Sequence, residues 1–578
     1  MNTMTDQGTG QATETLTGKV ASTAPTQGAP AIVAFGHGER ATAGLGADDL
    51  GLKALNLANM AGAGLPVPPG FVLTTGFCRR YHADRGGEGR GLLDSASAAI
   101  GGQLQRLETA TGRGFGSLRR PLLLSVRSGA AVSMPGMLET VLNVGLNRRD
   151  LGGLIRATGS PRFAWDCYRR LIQQYAEVVA GCPAEPFAGI VEAELNRAGL
   201  DDPRQLDFAA LEAVAEAFLR CYRQLTGEEF PEDPRRQLSD AIEAVMRSWM
   251  SARARAFRQM AGLDDAGGTA VTVQAMVFGN DGPSSGSGVA FTRDPDTGEK
   301  KLFVDFCAGA QGEDVVSGRF AVIGAGDLAS RLPAAWADLS AAAQRLEALF
   351  RDMQDCEFTI ERGRLWLLQS RSGWRSPRAA LRIAVDMVGE DLIDEAMAVE
   401  RLAHLDPGAL VGRRLAINHA NAAPLARATV ASAGCAVGAV AFDPPGIERL
   451  VAAGTPAILV RHELGTADID ALRLADGIVA AAGARTSHAA VVARGFGKVC
   501  LVGCGGLSIA PDARSCRFGD AAVSAGEFLS VDGEEGVVYR GRLAIAADEP
   551  PPELALLEEW RARAIERGPS SPPAIRPY

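Results

Sequence analysis

Gly483-Ala-Arg-Thr-Ser-His-Ala-Ala-Val-Val-Ala-Arg-Gly-Phe-Gly-Lys498 is the stretch from which the C-terminal half can be read. The preceding Ala475-Asp-Gly-Ile-Val-Ala-Ala-Ala482 is apolar and bounded by Gly477 and Gly483, which predicts a buried strand ending where glycine turns the chain. Thr486 and Ser487 supply capping hydroxyls for a helix from about Ser487 to Arg494. Gly495 and Gly497 stop it, and Val499-Cys-Leu-Val502 reads as a second buried strand. His488 then falls in the first helical turn, among backbone N–H groups that have no helical partner. Those donors and the helix dipole favour an anion and disfavour imidazolium, so the ring is expected to stay neutral and nucleophilic and could carry a phosphoryl group. The alternative is a buried or capping histidine beside a tight turn.

Composition narrows the class. The 578 residues are 47% hydrophobic and 22% charged, the balance of a soluble chain with ample core and room for several domains. A formal net charge of −9 argues against nucleic-acid or anionic-membrane partners, so anionic substrates need local basic sites. Ten cysteines lie scattered without CxxC pairs or metal-ligand spacing, no apolar N-terminal segment precedes them, and no run reaches membrane-spanning length. Together these features predict a reduced, cytoplasmic protein. Residues 1 to about 30, rich in Thr, Gly, Ala and Gln, predict a disordered leader. His37, His82, His404, His419 and His462 have no ligand spacing and are assigned structural or surface roles.

Groups suited to phosphate recur before residue 385. Asp49-Leu-Gly-Leu-Lys-Ala-Leu-Asn-Leu-Ala-Asn-Met60 has leucines at helical spacing and carries Lys53, which by itself reads equally as a surface lysine. Pro66-Val-Pro-Pro-Gly70 breaks the helix, and Phe71-Val-Leu-Thr-Thr75 is a strand. Pro121-Leu-Leu-Leu-Ser-Val-Arg-Ser-Gly129 predicts a buried strand with Arg127 at its polar end. A guanidinium there can give phosphate two parallel hydrogen bonds, or can simply close the sheet edge. Ser133-Met-Pro-Gly-Met137 follows as a loop with backbone N–H groups to offer. Residues from about 147 to 265 predict a helical insertion, amphipathic over 163–180 and 206–223, with Trp165, Tyr168 and Tyr175 as packing residues. Val271-Thr-Val-Gln-Ala-Met-Val-Phe278 is a strand entering Gly279-Asn-Asp-Gly-Pro-Ser-Ser-Gly-Ser-Gly288. Glycines in that loop, Gly286 and Gly288 among them, let backbone amides approach phosphates closely. Finally, Cys356-Glu-Phe-Thr-Ile-Glu361, the turn Arg362-Gly363, and Arg364-Leu-Trp-Leu-Leu-Gln-Ser-Arg371 predict a hairpin. Strand period two puts Asp355 with Glu357 on one face and Gln369 with Arg371 on one face. Two such carboxylates can hold Mg²⁺ while the arginine neutralises phosphate, and the alternative is a solvated strand face.

The histidine stretch with Val502-Gly-Cys504 resembles the phosphohistidine signature of the pyruvate, phosphate dikinase family, within the phosphoenolpyruvate-utilising enzymes. It departs at Ala484, where the family usually has a second glycine, and at Arg485, where phosphoenolpyruvate synthase is more similar. The blocks around Lys53, Ser125-Val-Arg127 through Leu138-Glu-Thr-Val-Leu-Asn143, Val289-Ala-Phe-Thr-Arg-Asp-Pro295, Ala310-Gln-Gly-Glu-Asp-Val-Val316 and the hairpin resemble the same family. The resemblance implies an α/β and α+β multidomain chain. Its parts are an ATP-grasp-like nucleotide-binding domain over about 31–385, a linker at 386–410, a swivelling β/α phosphohistidine domain at 411–543 and a C-terminal helix and tail at 544–578. It implies that Lys53, Arg127, Gly286, Gly288, Glu313, Gln369 and Arg371 contact ATP, that Asp355 and Glu357 bind Mg²⁺, and that the glycine loop is a flap. His488 would attack the β-phosphorus, AMP would leave, and the γ-phosphoryl would pass to inorganic phosphate. Family members continue into a (β/α)₈ barrel for pyruvate or phosphoenolpyruvate. Here a short helix and a proline-rich end follow, so the expectation is a nucleotide half-reaction with a barrel supplied by a separate chain, and a homodimer is compatible with it. Two alternatives remain: a synthase-like or antibiotic phosphotransferase, and a noncatalytic ATP-binding phosphocarrier or regulatory subunit.

Overall fold

The computed structural model describes residues 32–36, 44–83, 89–132, 134, 137–260, 262–316, 322–405, 407–417, 424–465, 468–483, 485 and 488–566. The expected leader, Ser133, Pro135, Gly136, Thr486 and Ser487, and the side chains of Glu313 and His488, lie outside the described residues. No helix among the described residues is long and apolar enough to cross a membrane. All ten cysteines are free thiols.

In the first half, β1 (Ile32–Phe35), β2 (Gly70–Leu73), β3 (Leu124–Gly129), β4 (Thr140–Val144) and β5 (Ala270–Ala275) form a sheet in the order β1-β2-β5-β3-β4. Every pairing in it is antiparallel. β5 returns from the helical insertion to the centre of the sheet and is buried throughout, which is why its sequence is apolar at both ends. A second antiparallel sheet takes β6 (Gly286–Phe291), β7 (Phe303–Ala308), β8 (Gln354–Glu361) and β9 (Arg364–Ser372) in the order β7-β6-β8-β9.

The helix Ala47–Gly62 ties the two sheets together. Its Leu50, Leu57 and Met60 share one buried cluster with Val72 of the first sheet and Phe358 and Leu367 of the second. Each such side chain contributes roughly 1.5–3 kcal/mol when taken from water. The hairpin β8/β9 closes as the sequence predicts, with Arg362 and Gly363 both at positive φ, 51° and 81°, the geometry that matches strand twist in a two-residue turn.

Two expectations change. Gly286 and Gly288 do not belong to an open loop but begin the buried strand β6. A Cβ at Gly286 would lie 2.1 Å from Phe306 Cζ, and one at Gly288 would lie 2.5 Å from Phe358 Cζ. The glycines leave room for those two stacked rings, whose centroids are 6.1 Å apart. The continuous helix expected over 163–180 ends its α-helical part at Gln174 and widens into a π turn, Tyr175–Val179.

The second half is a mixed sheet with a parallel centre. β10 (Arg413–Ala416) pairs at the margin with β22 (Ala544–Ala547), and β17 (Leu507–Ile509), β18 (Ser515–Phe518) and β19 (Ala521–Ser524) form a small meander. The main sheet contains β11 (Pro424–Arg427), β12 (Thr429–Ser432), β13 (Cys435–Ala441), β14 (Ala457–Arg461), β15 (Gly477–Ala480), β16 (Val499–Val502), β20 (Phe528–Asp532) and β21 (Val537–Arg540). Its order is β11-β21-β20-β13-β14-β15-β16-β12, with β13 to β16 parallel. The helix His488–Gly495 is the crossover between β15 and β16, as the spacing of glycines and apolar runs predicts. The last helix, Glu553–Glu566, folds back on Pro377–Gly389 and Glu395–Leu402, where Leu557 and Trp560 share a cluster with Leu381, Met387 and Leu402.

Candidate active site

A break in the helix Ala47–Gly62 sets the position of Lys53. Gly51 has φ 70° and ψ 149° inside the helical span. A Cβ there would meet the Gly129 carbonyl oxygen at 2.2 Å, so only glycine allows β3 this close. Leu52 N donates to Ala130 O at 2.9 Å, and the next residue, Lys53, is delivered beside the end of β3. Burial lowers the Lys53 ammonium to about 8; Glu357 pulls it back up, while Arg127 and Arg371 push it further down. Four charged groups from four elements therefore act on one point.

The register of the two sheets supplies the others. Arg127, half-buried on β3, stands opposite Thr140 of β4 and Thr272 of β5. Across the hairpin, Asp355 pairs with Arg371 and Glu357 with Gln369. Arg371 donates from both Nε and Nη2 to Asp355 Oδ2, at 2.8 Å each. Burial raises the Asp355 carboxyl despite that guanidinium, and the carboxylate in turn raises Arg371. Asn56, one turn after Lys53, donates from Nδ2 to Ser370 O at 2.8 Å, fixing the lysine helix to β9.

These side chains open on a cavity of about 1010 Å³, large enough for a nucleotide. Lys53, Arg127, Glu357, Gln369 and Arg371 line it, and so does the backbone at Gly288. Gly286 and Asp355 are not among the lining residues. Asp355 holds Arg371 from behind. Glu313 lies in the short helix Gly312–Val316, whose neighbours Gln311 and Gly312 line the cavity. Sequence reasoning missed Asn56, Gln174 and Glu177. For Asn56 a signal existed, because i and i+3 share a helix face and Lys53 is three residues earlier.

The α/β module that carries His488 is seated against the second sheet. Arg494, fully buried at the end of the helix His488–Gly495, reaches Asp296 Oδ1 at 3.3 Å and donates to Ala431 O. Asp296 also accepts from Ala433 N at 3.3 Å. Arg485 lies 3.5 Å from Asp305 Oδ1 and stacks its guanidinium 4.0 Å from the centroid of Phe303. Gly495 lies against Trp374, leaving no space for a side chain, and Trp374 also lines the cavity.

A cleft with a cationic end thus stands beside a separate α/β module that carries a histidine at a helix start. Residues 93–322 match the family model described as the pyruvate phosphate dikinase AMP/ATP-binding domain, and residues 454–536 match the mobile domain of PEP-utilising enzymes. Over these two regions the chain is similar to the pyruvate, phosphate dikinases. It is 40% identical over 547 residues to the pyruvate, phosphate dikinase of Rhizobium meliloti, covering 92% of this chain and 60% of that one. The chloroplastic pyruvate, phosphate dikinase 1 of Arabidopsis thaliana is 41% identical over 520 residues, 90% of this chain and 53% of the relative. That of Clostridium symbiosum is 41% identical over 503 residues, 85% and 56%. This chain thus spans 53–60% of the length of these relatives.

Proposed function

We propose that the chain catalyses ATP-dependent phosphorylation of His488, the nucleotide half-reaction of a pyruvate, phosphate dikinase. The observation that carries this reading is the convergence of Lys53, Arg127, Arg371 and Glu357 on one cavity, beside which the histidine-bearing module is seated. A His488 ring nitrogen forms a bond to the β-phosphorus, the bond from that phosphorus to the AMP oxygen breaks, and AMP leaves with the electron pair. The γ-phosphoryl then passes from the histidine-bound group to an oxygen of inorganic phosphate, giving pyrophosphate. Lys53, Arg127 and Arg371 neutralise charge on the phosphates, and Asp355 keeps the Arg371 fork in its plane.

Glu357 lines the cavity and pairs with Gln369 across the hairpin, and its carboxylate is a hard oxygen donor of the kind that holds Mg²⁺ together with substrate phosphates, with Asp355 behind it on Arg371. When bound, the cation would supply charge neutralisation across the phosphates. Onward transfer to pyruvate is proposed to use a site outside these two domains.

The test is incubation with ATP labelled at the β-phosphorus, Mg²⁺ and phosphate. Acid-labile, base-stable label on the protein, absent from His488→Ala, with AMP and pyrophosphate formed, is the expected result. Undiminished label in His488→Ala would overturn the assignment. Orthophosphate in place of pyrophosphate would shift the reading to a synthase-like enzyme using water.

A further inference from the structure

Residues 175–179 depart from α-helical geometry where the insertion meets the nucleotide cavity. A π turn is rare, inserts a residue and redirects the side chains around it, and it recurs at functional sites. This one is pinned on both sides. Tyr175 donates its hydroxyl to Asp240 Oδ2 at 2.6 Å, and Gln174 Oε1 accepts from Leu142 N of β4 at 2.8 Å. Gln174, Glu177 and Val178 then line the cavity, although none belongs to the phosphate-binding set.

Their place along the cavity follows from strand register. Arg127 stands opposite Thr140. Leu142, to which Gln174 is attached, is two residues further along β4, about 7 Å away along the strand. There the lining is apolar, with Leu142 itself and, just past the end of β5, Met276. A carboxylate at this end repels phosphates, and what it can accept from a bound nucleotide is an O–H or N–H of the nucleoside. Gln173 Nε2 donates to Glu177 Oε1 at 2.9 Å. This bond orients the carboxylate, which has about four acceptor positions in all.

We propose that the π turn Tyr175–Val179 is the nucleoside-reading element of the cavity and that Glu177 is a specificity-determining residue that accepts a hydrogen bond from the nucleoside. This rests on the reading of the cavity as an ATP site. The donor is either a ribose hydroxyl or the exocyclic amine of the base, two sources with one chemistry.

Calorimetric binding of ATP, 2′-deoxy-ATP and ITP to the full chain and to Glu177→Ala separates them, with thermal melting as the check on folding. The wild-type chain is expected to prefer ATP over one analogue by roughly tenfold or more, the worth of a hydrogen bond to a charged group. In Glu177→Ala that preference should fall to about twofold or less. Loss of discrimination against 2′-deoxy-ATP assigns the ribose, and loss against ITP assigns the amine. If the alanine variant melts early, Glu177→Gln keeps the size without the charge and should move the ratio in the same direction. Unchanged ratios in a folded variant, or equal wild-type affinity for all three nucleotides, would overturn the inference while leaving the ATP site standing. Failure of the wild-type chain to bind ATP at all would remove the site and this inference with it.

Discussion

Lys53 is the residue whose chemistry is most sensitive to its surroundings. Burial and two neighbouring guanidiniums bring it to about 8 from 10.5, so two properties move in opposite directions with pH. The unfolded chain binds this proton more tightly between 8 and 10.5, so the contribution of Lys53 to stability rises with pH across that window. Affinity for ATP should instead fall as pH rises through about 8, because the ammonium that meets phosphate is lost. Binding measured from pH 7 to 10 should show the fall in the wild-type chain and lack it in Lys53→Arg, whose guanidinium stays charged. The hairpin acids give a second prediction at this scale. Glu357→Gln should weaken Mg²⁺-dependent phosphorylation by roughly tenfold or more at limiting Mg²⁺ with little change in melting, since a charge goes and the size stays. Asp355→Asn acts through Arg371 as well as through the cation, so its loss should persist at saturating Mg²⁺. Equal behaviour of the two variants would argue against that division of labour.

At the scale of an element, the helix Ala47–Gly62 depends on its interruption. Gly51 combines a positive φ with a close approach to the Gly129 carbonyl. Gly51→Ala should cost about 1–3 kcal/mol from backbone strain alone and should also move Lys53 relative to β3. Thermal melting checks the first effect. A drop in ATP affinity that exceeds the effect of an equally destabilising substitution elsewhere in the helix checks the second.

At the scale of the molecule, the proposed reaction requires two modules to meet so that the histidine reaches the nucleotide. Arg494 is buried and Asp296 is 12% exposed where they do so, and removing Asp296 leaves the buried guanidinium without its charged partner. Arg494→Met should slow histidine phosphorylation by roughly tenfold or more while leaving ATP affinity within about twofold. A parallel loss of ATP binding would mean that the pair holds the nucleotide domain together and does not seat the mobile one.

The strand, helix and strand around His488 were legible because their signals are local: apolar runs four or five residues long, glycines at the turns, and a single helical face. The hairpin β8/β9 was legible for the same reason, since period two and a turn with a glycine fix which residues face each other. Arg127 and the hairpin residues stood out by type and position and Lys53 by resemblance to a family, and Lys53, Arg127, Glu357, Gln369 and Arg371 do line one cavity. Sequence alone does not carry the rest, because it depends on distance between segments. That Gly286 and Gly288 make room for Phe306 and Phe358 depends on a neighbouring strand and on β8, as many as 70 residues away. That Asp355 turns its carboxylate to Arg371 and leaves Glu357 facing the cavity is decided by a buried side chain's need for a charged partner. The π turn at Tyr175–Val179 leaves no periodic trace, because one inserted residue is fixed only by what Tyr175 and Gln174 find on other elements. Local order in this chain is written in pattern and punctuation, and the cavity and its chemistry arise where burial forces polar groups from distant segments to satisfy one another.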